Sequence, residues 1–143
     1  MDLIEKHDLK FKSNFISSYQ NGCDFSELKG QKIIDVFHND GIFQILTEKY
    51  LFELEHDQDC CESVYLQDIV GDVNDLIGHE ILFAEESTSD ENPLHEYDES
   101  FTWSFYKLAT IKGYVDLRWY GSSNGYYSES VSCYKNELDQ VVV

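Results

Sequence analysis

Residues 101–134 carry the pattern that most restricts the fold, because large side chains alternate there with small or polar ones. Phe101, Trp103 and Phe105 are each separated by a single small residue. Successive side chains of a β-strand point to opposite faces, so this alternation is typical of strands that bury one face. Turn-forming residues such as Lys112-Gly113 interrupt the segment twice, and it therefore predicts an antiparallel meander of three strands.

A first meander is expected earlier in the chain, at residues 32–56. Its first strand (KIIDVFH) is rich in β-branched and aromatic residues, and the triplet 39–41 (NDG) then provides a tight turn. Short helices are expected after Asp24 and after Asp72, where a capping side chain precedes a few residues that end at a glycine. Two meanders with two or three short helices predict an α+β fold, mainly an antiparallel sheet.

The length and composition indicate one domain over residues 1–143, because 42% of the residues are apolar and can form a core. Residues 1–22 are expected to form a mixed, partly helical lead-in. Residues 85–100 contain the only proline and seven acidic residues, and predict an exposed acidic loop. No apolar run reaches the ~18 residues of a membrane span. The N-terminus also lacks the apolar stretch of a signal peptide, so we expect a cytoplasmic protein.

The charge of the chain is strongly negative and unevenly distributed. There are 28 acidic against 10 basic residues, and the 16 acidic residues from Glu53 to Glu99 occur without any lysine or arginine. Such a field repels nucleic acid and anionic membranes and attracts a basic-surfaced protein, although solubility alone is an alternative explanation. The expected acidic contact surface consists of Asp57, Asp59, Glu62, Glu85, Glu86, Asp90 and Glu91.

Aromatic residues near the turn at 122–125 indicate an anchor for a binding partner. Tyr126 and Tyr127 follow this turn, and Arg118 precedes it. Tyrosine and arginine are frequent among the residues that dominate binding energy in interfaces. The alternative is ordinary packing across strands, which is the usual role of aromatic residues at strand spacing.

Residues 56–62 concentrate six side chains that could bind a metal. Imidazole, thiol and carboxylate groups suit zinc or calcium, but their spacing matches no standard motif. The alternative is a structural corner in which the acidic groups are solvated or cap local amides. The sequence contains no phosphate-binding loop and no hydrolase motif, so a binding protein is favoured over an enzyme. The metal-binding hypothesis involves His56, Asp57, Asp59, Cys61 and Glu62.

The cysteines at positions 23, 60, 61 and 133 contain no CxxC pair. Since nothing indicates secretion, we expect reduced thiols. Cys60 and Cys61 are adjacent, and an extended backbone would direct their side chains to opposite faces. A disulfide between these two residues is therefore not expected.

Two groups of residues carry a family resemblance. The first comprises HDQDCCESVY at 56–65, DI at 68–69, GD at 71–72, DLIG at 75–78 and AEE at 84–86; the second comprises TW at 102–103, FYKLAT at 105–110, GY at 113–114, RWYG at 118–121 and NGYYS at 124–128. With these runs the chain resembles a small uncharacterised family found in bacteriophage and bacterial genomes. The resemblance implies a phage or prophage accessory protein in a bacterial cytoplasm, and it assigns no catalytic residue.

We therefore expect a phage-encoded acidic protein that binds a basic-surfaced host protein and inhibits or sequesters it. The host protein would be a defence factor or a factor that handles nucleic acid. The chain itself is expected to bind no cofactor, no membrane and no nucleic acid directly. The alternative hypothesis is a metal- or small-ligand-binding module centred on residues 56–62, with zinc or calcium as the metal. A third and less favoured hypothesis is an enzyme that uses the same segment. Self-association through an exposed edge strand is compatible with all three hypotheses.

Overall fold

The computed structural model of the chain describes residues 21–138, which form two four-stranded antiparallel sheets. Most of the expected lead-in (residues 1–20) and the last five residues lie outside the described part. None of the described residues belongs to a helix long and apolar enough to cross a membrane. The strands are β1 (Ile33–His38), β2 (Ile42–Thr47), β3 (Tyr50–Glu55), β4 (Ser63–Val70), β5 (Phe83–Ser89), β6 (Ser100–Thr110), β7 (Gly113–Ser123) and β8 (Ser132–Glu137).

The predicted α+β fold class is wrong, because the described chain is mainly β. The two expected helices are single 3-10 turns, Phe25–Leu28 and Val73–Asp75. The capping contacts do form: the Asp24 amide donates to Glu27 Oε2 at 3.0 Å, and Asp72 Oδ1 accepts from the Asn74 amide at 2.9 Å. Only a few residues separate each cap from the next glycine, and one turn is too short to repay the cost of starting an α-helix.

The first sheet has the strand order β1-β2-β3-β8, and the second has the order β4-β7-β6-β5. Strands β1 to β3 lie within 32–56 and pair consecutively as a meander. The expected meander over 101–134 does not form, because β7 pairs with β4 and the chain then crosses to the first sheet, where β8 pairs with β3. A period of two identifies a strand and its buried face, but it does not specify which sheet the strand joins.

The expected acidic loop is also partly a strand. Residues 83–89 form β5, which pairs with β6 from Phe83↔Ala109 to Ser89↔Trp103. This strand lies at the edge of its sheet and exposes Glu85 and Glu86, so it lacks the apolar pattern by which strands are recognised. Charged side chains on an edge strand also oppose pairing with a second chain. The loop proper is restricted to residues 90–99.

The hydrophobic core combines side chains of both sheets. Phe43 and Phe52 of the first sheet belong to one buried cluster with Tyr106, Leu117 and Trp119 of the second sheet. The 3-10 turn at 25–28 adds an aromatic side chain whose ring meets that of Tyr106 edge to face at 4.9 Å. Burial of each such side chain stabilises the fold by about 1.5–3 kcal/mol, so the alternating aromatic residues contribute strongly to the core.

Gly71, at the end of β4, has the tightest backbone contact of the described glycines. Its φ is +102°, and an added Cβ would lie 2.4 Å from the carbonyl oxygen of Tyr114. Gly30 has a similar φ of +89° with open space around it. We expect Gly30→Ala to lower the free energy of unfolding by about 1 kcal/mol, through backbone strain alone. Gly71→Ala should lower it by about 2–4 kcal/mol, since strain and a backbone clash add. Urea denaturation measures both values, and equal losses would contradict the close approach of β4 to β7.

Candidate functional site

Three segments meet in a cleft of about 290 Å³ at one end of the second sheet. They are residues 61–63, residues 97–99 and residues 122–127. We call this feature the acidic cleft, because three carboxylates and no basic side chain line it. The lining groups used below are Glu62, Tyr97, Asp98, Glu99, Asn124 and Tyr127.

The wall at 97–99 is held by hydrogen bonds to the second sheet. Tyr120 donates its hydroxyl hydrogen to Asp98 Oδ2 at 2.5 Å and accepts from the Leu94 amide at 3.2 Å. Trp103 Nε1 donates to the carbonyl oxygen of Asn92 at 3.0 Å. Burial and the neighbouring Asp98 carboxylate raise the pKa of Tyr120 to about 12, so this hydroxyl remains a donor at neutral pH. The loop is therefore fixed along the exposed face of β6 and β7.

The wall at 61–63 follows a corner, residues 56–62, built around the buried carboxylate of Glu62. Its oxygens accept from the amides of Asp59 and Cys60, each at 2.9 Å, and from His56 Nε2 at 2.7 Å. The Glu62 side chain has no exposed surface. The hydrogen bond from His56, followed by the two amides, lowers the pKa of Glu62 to about 2. Glu62 is thus a structural anion that organises the corner.

His56 ties this corner to the segment before β8. Its Nε2 faces Glu62 and its Nδ1 lies 2.6 Å from the carbonyl oxygen of Ser130. These two contacts join the corner to the segment before β8 at a position where the His56 and Glu62 side chains are both buried.

The remaining residues of the metal-binding hypothesis are also engaged, and the expectation of reduced thiols fails at this corner. The Sγ atoms of Cys60 and Cys61 are bonded in a disulfide, because the chain bends here and is not extended as assumed. Asp57 accepts from the hydroxyls of Ser132 and Tyr134. Burial and the Asp57 carboxylate raise the pKa of Tyr134 to about 12. Within residues 21–138, no group of three His, Cys, Asp or Glu side chains is arranged to hold a metal ion.

The wall at 122–127 is shaped by its own polar side chains. Ser123 accepts from the Gly125 amide at 2.9 Å, and Asn124 Oδ1 accepts from the Tyr126 amide at 3.0 Å. Glu129 accepts from the Ser123 hydroxyl at 2.5 Å. These bonds present the rings of Tyr126 and Tyr127, whose centroids are 4.9 Å apart, beside the cleft; Tyr126 is 83% exposed.

Arg118, the third member of the expected aromatic anchor, lies elsewhere. Its guanidinium carbon sits 5.2 Å from the ring centroid of Trp103 and 4.9 Å from that of Phe105, on the outer face of the second sheet. A groove of about 330 Å³ there also includes Lys107 and Asp116. The structure therefore brings Tyr126 and Tyr127 together but separates them from Arg118.

The expected acidic residues are distributed over several surfaces. Glu85 lines the groove beside Arg118, and Glu86 is exposed on the same edge strand. Asp90 and Glu91 are exposed where the loop begins, and Asp59 is exposed on the corner. The carboxylates that line the cleft beside Glu62, namely Asp98 and Glu99, fall within the 85–99 segment expected in the acidic surface but were not named individually from the sequence. They belong to the same cation-free run, and only the fold of the loop distinguishes them from the other acids.

Two further carboxyl groups lie on β3, of which Glu53 is buried and Glu55 is partly exposed. Glu53 is 1% exposed and accepts from Gln44 Nε2 at 3.0 Å and from Asn136 Nδ2 at 2.8 Å. Burial raises the pKa of Glu53 to about 8 despite these donors. Burial and the neighbouring Asp57 raise the pKa of Glu55 to about 7. Both groups therefore carry less negative charge at neutral pH than the sequence indicates.

A comparison with protein-family models matches residues 26–133 to a family described as Domain of unknown function (DUF7448). No curated protein and no solved structure matches the chain. The match spans most of both sheets and all three walls of the acidic cleft.

We expect the Glu62–His56 pair to govern stability in acid. The pKa of Glu62 is about 2 in the folded chain and 4.5 ordinarily, so its contribution is complete above pH 4.5 and is lost as the pH falls towards 2. Glu62→Gln should lower the melting temperature at neutral pH, because an amide cannot accept from all three donors. The melting temperature of this variant should also fall less than that of wild type as the pH is lowered, because glutamine does not titrate. Asp59→Asn, an exposed change in the same corner, is the control. Melting curves recorded over a series of pH values measure both effects. An identical decrease of the melting temperature in acid for wild type and Glu62→Gln would contradict the hydrogen bond between Glu62 and His56.

Glu53 should have the opposite pH dependence. The folded chain retains a proton that the unfolded chain releases above its ordinary pKa of 4.5, so stability falls as the pH rises from 4.5 to about 8. Glu53→Gln cannot ionise, so its stability relative to wild type should rise between pH 5 and pH 8, by at least ~1 kcal/mol. Chemical denaturation at pH 5 and pH 8 tests this, with the exposed Glu48→Gln as the matched control. If the free energy of unfolding of Glu53→Gln changes with pH as that of wild type does, the proton on Glu53 is not the cause of the pH dependence.

Proposed function

Since this chain belongs to the DUF7448 family, whose description states no function, we propose from the geometry that it is a protein-binding module whose acidic cleft receives a basic side chain of its partner. The observation that carries the proposal is the convergence of three separate segments on one cleft lined by carboxylates, tyrosines and small polar groups. Each segment had an ambiguous role by itself.

The charges of the cleft favour a cationic group. Glu62 is buried and bound by His56, which leaves Asp98 and Glu99 as the carboxylates available to a partner. Because the chain has no lysine or arginine between residues 50 and 106, few intramolecular cations compete for these groups. A lysine or arginine side chain would meet two carboxylates here, and the faces of Tyr97 and Tyr127 could add cation–π attraction.

The overall charge supports a basic-surfaced partner. A net charge of −18 speeds encounter with a basic protein and disfavours contact with nucleic acid. Exposed Asp59, Asp90 and Glu91 extend the negative surface beyond the cleft. Proteins that handle nucleic acid carry basic surfaces for the phosphate backbone, so such a protein is the class of partner that fits.

The biological part of the proposal concerns the setting. We propose a phage-encoded chain that acts in the cytoplasm of a bacterial host and inhibits or sequesters a defence factor or nucleic-acid-handling factor. An acidic module that occupies a nucleic-acid-binding surface would compete with the nucleic acid directly. This role requires no catalytic group and no cofactor.

The alternative proposal, a metal- or small-ligand-binding module at residues 56–62, has weaker support. His56 and Glu62 bind each other, Asp57 accepts two hydroxyls, and Cys61 is bonded to its neighbour. A metal would have to displace these contacts. A small organic cation in the acidic cleft is the form of this proposal that leaves the corner intact.

Capture experiments with paired variants test the binding proposal. Tagged wild type, Glu99→Gln and Glu48→Gln are each incubated with bacterial lysate, and the bound proteins are quantified by mass spectrometry. Both variants lose one exposed acid, but only Glu99 lines the cleft. We expect a basic protein that wild type and Glu48→Gln capture equally and that Glu99→Gln captures about 2- to 5-fold less. Capture should also decrease as salt is raised.

The captured protein is then purified and its affinity for all three variants is measured directly. An affinity that is unchanged from low to molar salt, or equal for Glu99→Gln and Glu48→Gln, would refute the role of the cleft. Loss of the partner's activity when the purified chain is added supports inhibition, whereas unchanged activity would restrict the function to binding.

A further inference from the structure

We propose that Cys23 and Cys133 form an oxidisable dithiol site, which reacts with a low-molecular-weight disulfide such as glutathione disulfide. The product is a bridge between the segment at 21–23 and β8. This modification is independent of the acidic cleft and of its proposed partner.

The backbone already places the two cysteines opposite each other. The Cys23 amide donates to the carbonyl oxygen of Cys133 at 3.0 Å, and the neighbouring Gly22 forms an antiparallel bridge with Tyr134. Opposed residues of this kind have Cα separations of about 5.5 Å, within the range of disulfides. The Sγ atoms are 3.2 Å apart, so both thiols point to the same side of the pair.

Contacts on the C-terminal side of Cys133 keep the two segments in register. The Lys135 amide donates to the carbonyl oxygen of Asn21 at 2.8 Å, and Lys135 Nζ lies 2.7 Å from Glu27 Oε1. Asn21 Nδ2 also donates to Asn136 Oδ1 at 3.0 Å. A bridge therefore requires only a small movement of the side chains, because the backbone geometry is already set.

The reaction proceeds by two exchanges. The thiolate of Cys23 attacks one sulfur of the glutathione disulfide, which forms a mixed disulfide and releases one glutathione as thiolate. The thiolate of Cys133 then attacks the Cys23 sulfur, which closes the protein disulfide and releases the second glutathione. The cysteines lose two electrons and two protons in total, and the glutathione disulfide gains them as two thiols.

The environment of the Cys133 thiol indicates the order of the two exchange steps. The hydrogen bond with Cys23, burial, and the carboxylates of Glu86 and Glu27 raise the pKa of Cys133. Cys133 therefore suits the second step, in which the mixed disulfide lies beside it and proximity compensates for a low thiolate fraction.

The bridge would constrain a long stretch of chain. The two cysteines are 110 residues apart in sequence, and a cross-link that closes such a loop removes much of the conformational freedom of the unfolded chain. Oxidation is thus expected to raise the melting temperature by about 5–15 °C.

The test uses the full chain after reduction and after incubation with glutathione disulfide at mildly alkaline pH. We expect non-reducing peptide mapping to show a cross-link between the peptides that contain Cys23 and Cys133, and the melting temperature to rise. Dithiothreitol should reverse both changes. The double variant Cys60→Ser/Cys61→Ser should keep the cross-link, whereas Cys23→Ser should lose it along with the rise in melting temperature.

Two results would overturn the proposal. One is glutathione adducts on Cys23 or Cys133 without closure to the protein disulfide. The other is no reaction of either thiol in the folded wild-type chain. Both are read on wild type itself, so the conclusion does not depend on whether a cysteine variant folds.

Discussion

The pairing of β8 with β3 is the interaction on which the rest of the structure depends. The backbone N–H and C=O groups on the free edge of β3 find their partners in β8, from Tyr50↔Glu137 to Glu55↔Ser132. The end of the described chain is thereby returned to the first sheet. It also places the Ser130 carbonyl at His56 and the Tyr134 hydroxyl at Asp57. The corner at 56–62 thereby gains partners from a segment more than seventy residues away. This crossover also brings Cys133 to Cys23.

The charge of the folded chain is organised by burial as much as by composition. Burial raises the pKa of Glu53 to about 8 and, with Asp57, that of Glu55 to about 7, whereas hydrogen bonds from His56 and two amides lower the pKa of Glu62 to about 2. These three groups stabilise or strain the fold and contribute little to the external field. The electrostatic field that a partner meets arises from the exposed carboxylates. The sequence alone does not distinguish exposed from buried acidic residues.

Local patterns in the sequence predict strands well and their assembly poorly. The alternation at Phe101–Phe105 and the turn at 39–41 reflect rules that act over a few residues, and strands form at both places. The route of β8 depends on which sheet offers a free edge, and the edge strand β5 lacks an apolar face to reveal it. For the site, the corner was recognised as unusual from its composition. The partners of Glu62 are local, but the Ser130 carbonyl that contacts His56 lies 74 residues away. The rings on which Arg118 packs belong to a neighbouring strand and are likewise not indicated by the local pattern.

The acidic cleft differs from the groove beside Arg118 in its balance of charge, although the walls of both are held in place. Tyr120 fixes one wall, the Glu62–His56 pair fixes the second, and Glu129 braces the third through Ser123. A surface whose backbone is already ordered loses little conformational freedom when a partner binds. In the groove, Arg118 lies over two rings beside Lys107, so opposite charges on neighbouring strands balance there. Of these two surfaces, the cleft combines uncompensated negative charge with an ordered backbone, which favours the proposed binding of a cationic side chain there.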